Sequence, residues 1–221
     1  MDSGVLAIML PAFAECLVLV GIHSYLGLHV IKRKVIFVDL ALAQIAALGA
    51  TVGFLFGMSP TSPAAFLYSM AFTFVGAAVF AASRFRKDRV PQEAVIGLVY
   101  AIAASTAILV IDKSPHGAEH IKDLLTGTIL WVRWPTVLTA AIAYSAVGIF
   151  HFVLRHQFIR ITEDPEGAFE AGMWVRLWDF FFYLSFGFVI SFSVRTAGVL
   201  LVFVFLVAPA ISAVLLTDRW R

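Results

Sequence analysis

Cysteine occurs once, at Cys16, which excludes an intramolecular disulfide and any metal cage built from cysteines. Charge is scarce as well: Asp, Glu, Lys and Arg make up 14% of the 221 residues, against about 25% in an ordinary soluble domain. No lysine follows a glycine anywhere in the chain, so a G-x-x-x-x-G-K-[ST] phosphate loop is absent and any ATP-driven step needs a separate ATPase polypeptide. Low-complexity segments, linkers and a soluble domain are also missing, and the small net charge of +2 carries no nucleic-acid inference.

What fills the chain instead is apolar sequence, 61% of all residues, with a mean hydropathy of +0.94. Seven runs, 5–26, 35–56, 64–83, 94–111, 135–154, 177–194 and 197–216, each approach the ~20 residues that cross a bilayer core. Lipid cannot satisfy open strand edges, so every span is expected to be a helix. The expected fold is all-α: one polytopic bundle of about seven spans forming a single transmembrane domain over residues 1–221. The first span is preceded by Asp2 without a basic residue and is too long for a signal-peptide core, so it reads as a retained helix.

The cations alternate between the gaps. Lys32, Arg33, Lys34, Arg84, Arg86, Lys87, Arg89, Arg155, Arg160, Arg176, Arg219 and Arg221 fall on one side, and only Lys113, Lys122, Arg133 and Arg195 on the other. The positive-inside rule then places the N-terminus outside and the C-terminus in the cytoplasm.

Within this apolar background a few polar residues stand at membrane depth. Glu15 lies near the middle of the first span, Gln44 near the middle of the second, and Asp39 in the cytoplasmic half of the second. An acidic group at the bilayer centre costs about 2.5–3.5 kcal/mol on insertion scales and commonly marks a transport path. Glu15 reads either as path-lining or as a buried hydrogen-bond partner of a neighbouring helix. Asp39 and Gln44 are five residues apart, about 140° around an ideal helix, so they do not share one face. His23, His151 and Asp179 fall near cytoplasmic span ends, where the expectation is a structural role within reach of headgroups. Gly49, Gly53 and Gly57, with Ala46 and Ala50, form a flat ridge that reads as a helix-packing face.

Two gaps are long enough for structure of their own. In the outer gap, Ile121, Leu124, Leu125, Ile129 and Leu130 suggest a short amphipathic segment. The same gap holds His116, Glu119 and His120 in an H-x-x-E-H pattern, in which two histidines share a helical face and bind zinc. Beside Pro115 and Gly117 and without a third ligand, the pattern stays open between a plain polar loop, a metal-collecting site at the outer mouth, and an intramembrane zinc metallopeptidase. In the inner gap, Thr162, Asp164 and Pro165 are helix-start residues and Gly172 a helix stop, so a helix of about two turns is expected within residues 160–174 on the cytoplasmic face.

Taken together, FVDLALAQIAALGA, PQEAVIGLVYA, HGAEHIKDLLTGTILWV, EDPEGAFEAG and AGVLLVFVFLVAPAISAVLL resemble, in order and over essentially the whole chain, the permease subunit of bacterial ABC importers for zinc, manganese or iron. The resemblance implies a non-enzymatic, multi-pass permease of the bacterial inner (plasma) membrane. It would form a homodimer in lipid, dock a cytoplasmic ABC ATPase, and receive metal from an extracytoplasmic metal-binding protein. The divalent metal is substrate, ATP binds the partner, and no cofactor is held stably. Asp164, Pro165, Glu166, Ala168 and Gly172 are similar to the family's D-P-E-x-A-x-x-x-G stretch, which implies that this segment couples to the ATPase. Metal would pass Glu15, Gln44 and Asp39 by alternating access; an ATP-independent metal channel or carrier is the other transport reading.

Two departures accompany the resemblance. The family's span two has an Asp and a His four residues apart in a G-D-A-L-S-H type sequence, whereas here Val38 precedes Asp39 and the next polar residue is Gln44, at spacing five. Members of the family also continue past the P-A-x-x-A span, so either this chain is C-terminally truncated or seven spans suffice in it.

Overall fold

A computed structural model describes residues 3–59, 62–85, 90–111 and 126–217. Among them the chain forms α1 (Ser3–Lys32), α2 (Val38–Leu55), α3 (Pro63–Ala82), α4 (Gln92–Ile111), a short 3-10 helix (Ile129–Trp131), α5 (Trp134–Val153), α6 (Arg155–Glu163), α7 (Pro165–Glu170) and α8 (Val175–Leu216). No strand occurs among the described residues.

Six of these helices are long and apolar enough to cross a membrane, against the seven expected runs. The difference lies in α8. Its 42 residues would reach ~63 Å as a straight rod, about twice a hydrocarbon core. Gly198 breaks the rod with φ 75° and ψ 159°, a combination open essentially to glycine alone. The arm before Gly198 pairs Asp179 with Arg33 at the end of α1 and Thr196 with Glu15 near its middle, so it runs antiparallel to α1. The arm after Gly198 places the Leu206 carbonyl and Ala210 against Gly27 of α1. That contact lies back toward the Arg33 end. The sixth and seventh apolar runs are thus the two arms of one bent element, and the narrow gap between them falls at its bend.

The first arm of α8 is the centre of the bundle. Phe182, Tyr183, Phe186, Val189 and Ile190 are all fully buried, surrounded by α1, α2 and α3. Close packing elsewhere relies on missing side chains. A Cβ at Gly49 would sit 2.6 Å from the Tyr68 carbonyl oxygen of α3, so the small-residue ridge of α2 is an intrachain packing face. Gly57 does not belong to it: it follows the end of α2 and takes φ 80° to turn the chain. Tighter still is Gly27, where a Cβ would stand 2.1 Å from the Leu206 carbonyl oxygen. Neither backbone can yield easily, so Gly27→Val is expected to separate α1 from the second arm of α8 and cost at least the ~1–3 kcal/mol of an overpacked core. Thermal unfolding in detergent should show the loss, with Gly97→Ala as a silent control because a Cβ there meets nothing within 4 Å.

Local start and stop signals explain the polar connections. Ser62 caps α3 by accepting from the Ala65 N–H at 3.1 Å, with Pro63 in the first turn. Asp164 caps α7 in the same way, its Oδ1 accepting from the Gly167 N–H at 2.9 Å, Pro165 follows in the first turn, and Gly172 closes the segment at φ 73°. The expected short helix is therefore present over Pro165–Glu170, but Thr162 does not start it. Thr162 lies inside the preceding helix α6.

Candidate functional site

The residues expected to line a path do not converge. Glu15 is fully buried on α1 and its Oε1 accepts from the Thr196 hydroxyl of α8 at 3.4 Å, while Oε2 has no partner. Asp39 sits in the first turn of α2, 2% exposed, with Oδ1 unpartnered. Gln44 is half-buried farther along α2. Among the described residues no hydrogen bond or ion pair joins the three, and no three His, Cys, Asp or Glu side chains cluster so as to hold a metal. They lie at separate places in the bundle, and their side chains carry oxygens of the kind that hard or borderline divalent cations accept.

A second carboxyl stands near Asp39 that sequence reasoning did not single out. Glu93, in the first turn of α4, accepts from the Phe37 N–H at 3.0 Å. Phe37 is the N-cap of α2 and offers no side-chain cap of its own, and Glu93 reaches its backbone N–H from another helix. Its position inside the quoted PQEAVIGLVYA stretch was the available signal.

The connection that leads into α5 meets Glu15 through Thr196. The Thr196 carbonyl accepts from the Thr128 N–H at 2.8 Å, while its hydroxyl reaches Glu15. Gly127, at φ 65°, lies so close to Ala197 and Gly198 that a Cβ there would clash with backbone. The end of this connection is thereby fastened to the bend of α8, one residue from the buried acid. His116, Glu119 and His120 lie outside the described residues, as do Ile121, Leu124 and Leu125.

His23, His151 and Asp179 have the structural roles expected of them, but the structure places them inside the bundle rather than within reach of headgroups. All three are buried to 1% exposure or less, because each has a partner inside the bundle. His23 Nδ1 bonds the Leu19 carbonyl at 2.7 Å, and His151 Nε2 bonds the Ser185 hydroxyl at 2.8 Å. Asp179 Oδ1 accepts from Arg33 Nη1 at 2.6 Å. The Asp179 carboxylate also lies 3.8 Å from Arg84 Nε, so cations from the ends of α1 and α3 share one anion at the start of α8. Two residues counted as loop cations from sequence are therefore buried structural groups.

The segment read as ATPase-facing is exposed over much of its length. Glu163, Asp164, Glu166, Glu170 and Gly172 face solvent, whereas Ala168 is fully buried. Ala168 packs with Ile161 and Val175, flanked by Phe169, Met173 and Trp178. The D-P-E-x-A-x-x-x-G stretch thus divides by role: Asp164 and Pro165 start the helix, Ala168 seats it, Gly172 ends it, and Glu166 is presented outward.

Comparison with known proteins gives this geometry its context. The manganese transport system membrane protein MntC of Listeria innocua serovar 6a is 29% identical over 214 residues, covering 91% of this chain and 70% of that protein. The chelated iron transport system membrane protein YfeC of Yersinia pestis is 24% identical over 133 residues, covering 60% and 45% respectively. Among solved structures, PsaBC from Streptococcus pneumoniae in complex with Fab shares the fold at a TM-score of 0.73 and 17% identity, covering 96% of this chain and 74% of that one. The apolar spans, the buried intramembrane acids and the capped D-P-E segment all find their place in one family: residues 5–221 match the ABC 3 transport family, and this multi-pass membrane chain belongs to it.

Proposed function

We propose that this chain is the membrane subunit of an ATP-driven importer of divalent metal ions, with manganese or iron as substrate in keeping with the relatives named for them. The observation that carries the reading is the family match over residues 5–221. It favours transport over the zinc-peptidase alternative and an ATP-coupled permease over a passive channel. Zinc is the less supported substrate, since Asp39 is followed at helical spacing by Ala43 and not by an imidazole, and carboxyl and amide oxygens suit manganese better.

In this reading the C-terminus is cytoplasmic, a separate ABC ATPase binds α7 and hydrolyses ATP, and an extracytoplasmic protein delivers the metal. Two copies of the chain pair in the lipid. Metal enters near Glu15, where the outer segment is tied to the bend of α8, and leaves past Gln44 and the Asp39 and Glu93 carboxyls at the start of α2. The stations are spaced rather than clustered, which suits a conducted ion: each holds it weakly enough to let it go.

The test is co-purification of the chain with the ATPase encoded beside it, followed by uptake of manganese(II), iron(II) and zinc(II) into vesicles with and without ATP. ATP-dependent accumulation of manganese or iron is the expected result. Absence of any ATPase association, or uptake indifferent to ATP, overturns the proposal.

A further inference from the structure

Beneath the exposed cytoplasmic segment lies a buried polar cluster that neither the transport path nor the docking surface uses. Its hub is Arg33, at the end of α1. Arg33 Nη1 donates to Asp179 Oδ1 at 2.6 Å, and both side chains are wholly shielded from solvent. Arg33 Nε donates to the Thr162 hydroxyl of α6 at 2.8 Å. The same hydroxyl meets His29 Nδ1 at 2.8 Å, and the guanidinium lies 4.0 Å over the Phe182 ring of α8.

The geometry points to Thr162, Arg33 and Asp179 as positioning residues that pass displacement of the cytoplasmic segment to α1 and α8. Thr162 stands two residues before Asp164, the cap of α7, so any rigid movement of α7 reaches it with little slack. The guanidinium is a planar fork whose Nε and Nη1 bonds point in fixed relative directions. Thr162 therefore cannot shift without turning the fork, and turning the fork shifts or breaks the bond to Asp179. Asp179 begins the arm of α8 that ends at Thr196 and Glu15, and Arg33 ends the helix that carries Glu15 itself. One side chain thus joins the segment facing the cytoplasm to both helices that hold the buried acid.

Anchoring alone does not account for the cluster. The segment is already seated by Ile161, Ala168 and Val175, all essentially fully buried, and the Thr162 hydroxyl adds to that seat a partner for Arg33 Nε and His29 Nδ1. What the hydroxyl adds is a directional link to a charge.

This inference rests on the reading that α7 docks the ATPase, and the experiment separates the two. Thr162→Val keeps shape and removes the hydroxyl; Thr162→Ser keeps the hydroxyl. Asp164→Ala, which removes the cap of α7, reports on docking. The permease, its ATPase and its binding protein are reconstituted in vesicles, and manganese(II) accumulated per ATP hydrolysed is measured, together with ATPase retention on the purified complex. Thr162→Val is expected to retain the ATPase and hydrolyse ATP, but to lose on the order of tenfold in manganese moved per ATP, the equivalent of one hydrogen bond to a charged group. Thr162→Ser should restore the ratio. If Thr162→Val transports per ATP as the unchanged chain does while Asp164→Ala sheds the ATPase, the transmission role falls and docking stands. If Thr162→Ser is as uncoupled as Thr162→Val, packing and not the hydroxyl is responsible, and the role falls again. If the ATPase is never retained, or Asp164→Ala leaves it bound, the docking reading fails and takes the transmission role with it.

Discussion

Asp179→Ala is expected to destabilise the folded chain by about 3–5 kcal/mol, the penalty typical of removing one partner from a buried ion pair. The size follows from what remains. Arg33 is wholly buried and Arg84 has a side-chain exposure of 9%, so the substitution strands two cations over one lost anion in a region closed to water. Neither can escape readily, because Arg33 is held by Thr162 and Phe182 and Arg84 by Gln92, whose own amide bonds the Phe80 carbonyl at 3.0 Å. Asp179→Asn should cost less, since it keeps an acceptor for Arg33 while losing the charge. The combined change Arg33→Met and Asp179→Leu should cost less than Asp179→Ala alone, because replacing both members with apolar groups leaves one fewer unpaired charge. Unfolding of the three variants in the same detergent checks the order. An Asp179→Ala chain as stable as the unchanged one would mean that the pair contributes nothing the bilayer-facing packing does not already supply.

How much of this was legible in sequence depended on how local each signal was. The spans announced themselves because lipid demands an apolar residue at nearly every position. The ends of α7 were equally plain, since capping by Asp164, the fixed φ of Pro165 and the positive φ of Gly172 are properties of a few consecutive residues. The bend at Gly198 was legible only as a narrow gap containing Arg195, because a turn made by one glycine leaves almost no polar sequence behind it. The Arg33 and Asp179 pair was invisible for the opposite reason: its members lie 146 residues apart, and each alone looks like a charge at a span end. Helices that are apolar on every face give no periodicity to tell which residues point inward. That is why His23, His151 and Asp179 were placed toward the headgroups when the fold turns them to the core. Glu93 was missed because an acid in the first turn of a helix has an ordinary local explanation, and only the fold brings it to the Phe37 N–H at the start of α2.

Asp39→Ala is expected to cut transport while leaving stability nearly unchanged. The carboxyl is 2% exposed and its Oδ1 finds no hydrogen-bond partner, so the folded chain bears the cost of an unsatisfied buried polar atom, about 1–3 kcal/mol. Alanine relieves that cost but also removes the carboxyl's bonds to the backbone N–H groups of Asp39 and Leu40, so thermal stability in detergent should change little. A buried carboxylate oxygen that the fold leaves unpartnered is a candidate ligand to something absent from the fold, here the conducted cation. A cation in a site shielded from water gains far more from a carboxylate than it would in bulk, so its loss should cut manganese(II) uptake by at least about tenfold, the equivalent of ~1.4 kcal/mol. Gln44→Ala, which removes a neutral oxygen, should reduce uptake less. The measurement pairs thermal unfolding with ATP-dependent uptake on the same preparations. Reduced stability with reduced uptake would make Asp39 a structural residue whose partner the fold conceals, and unchanged uptake would move the path away from α2 altogether.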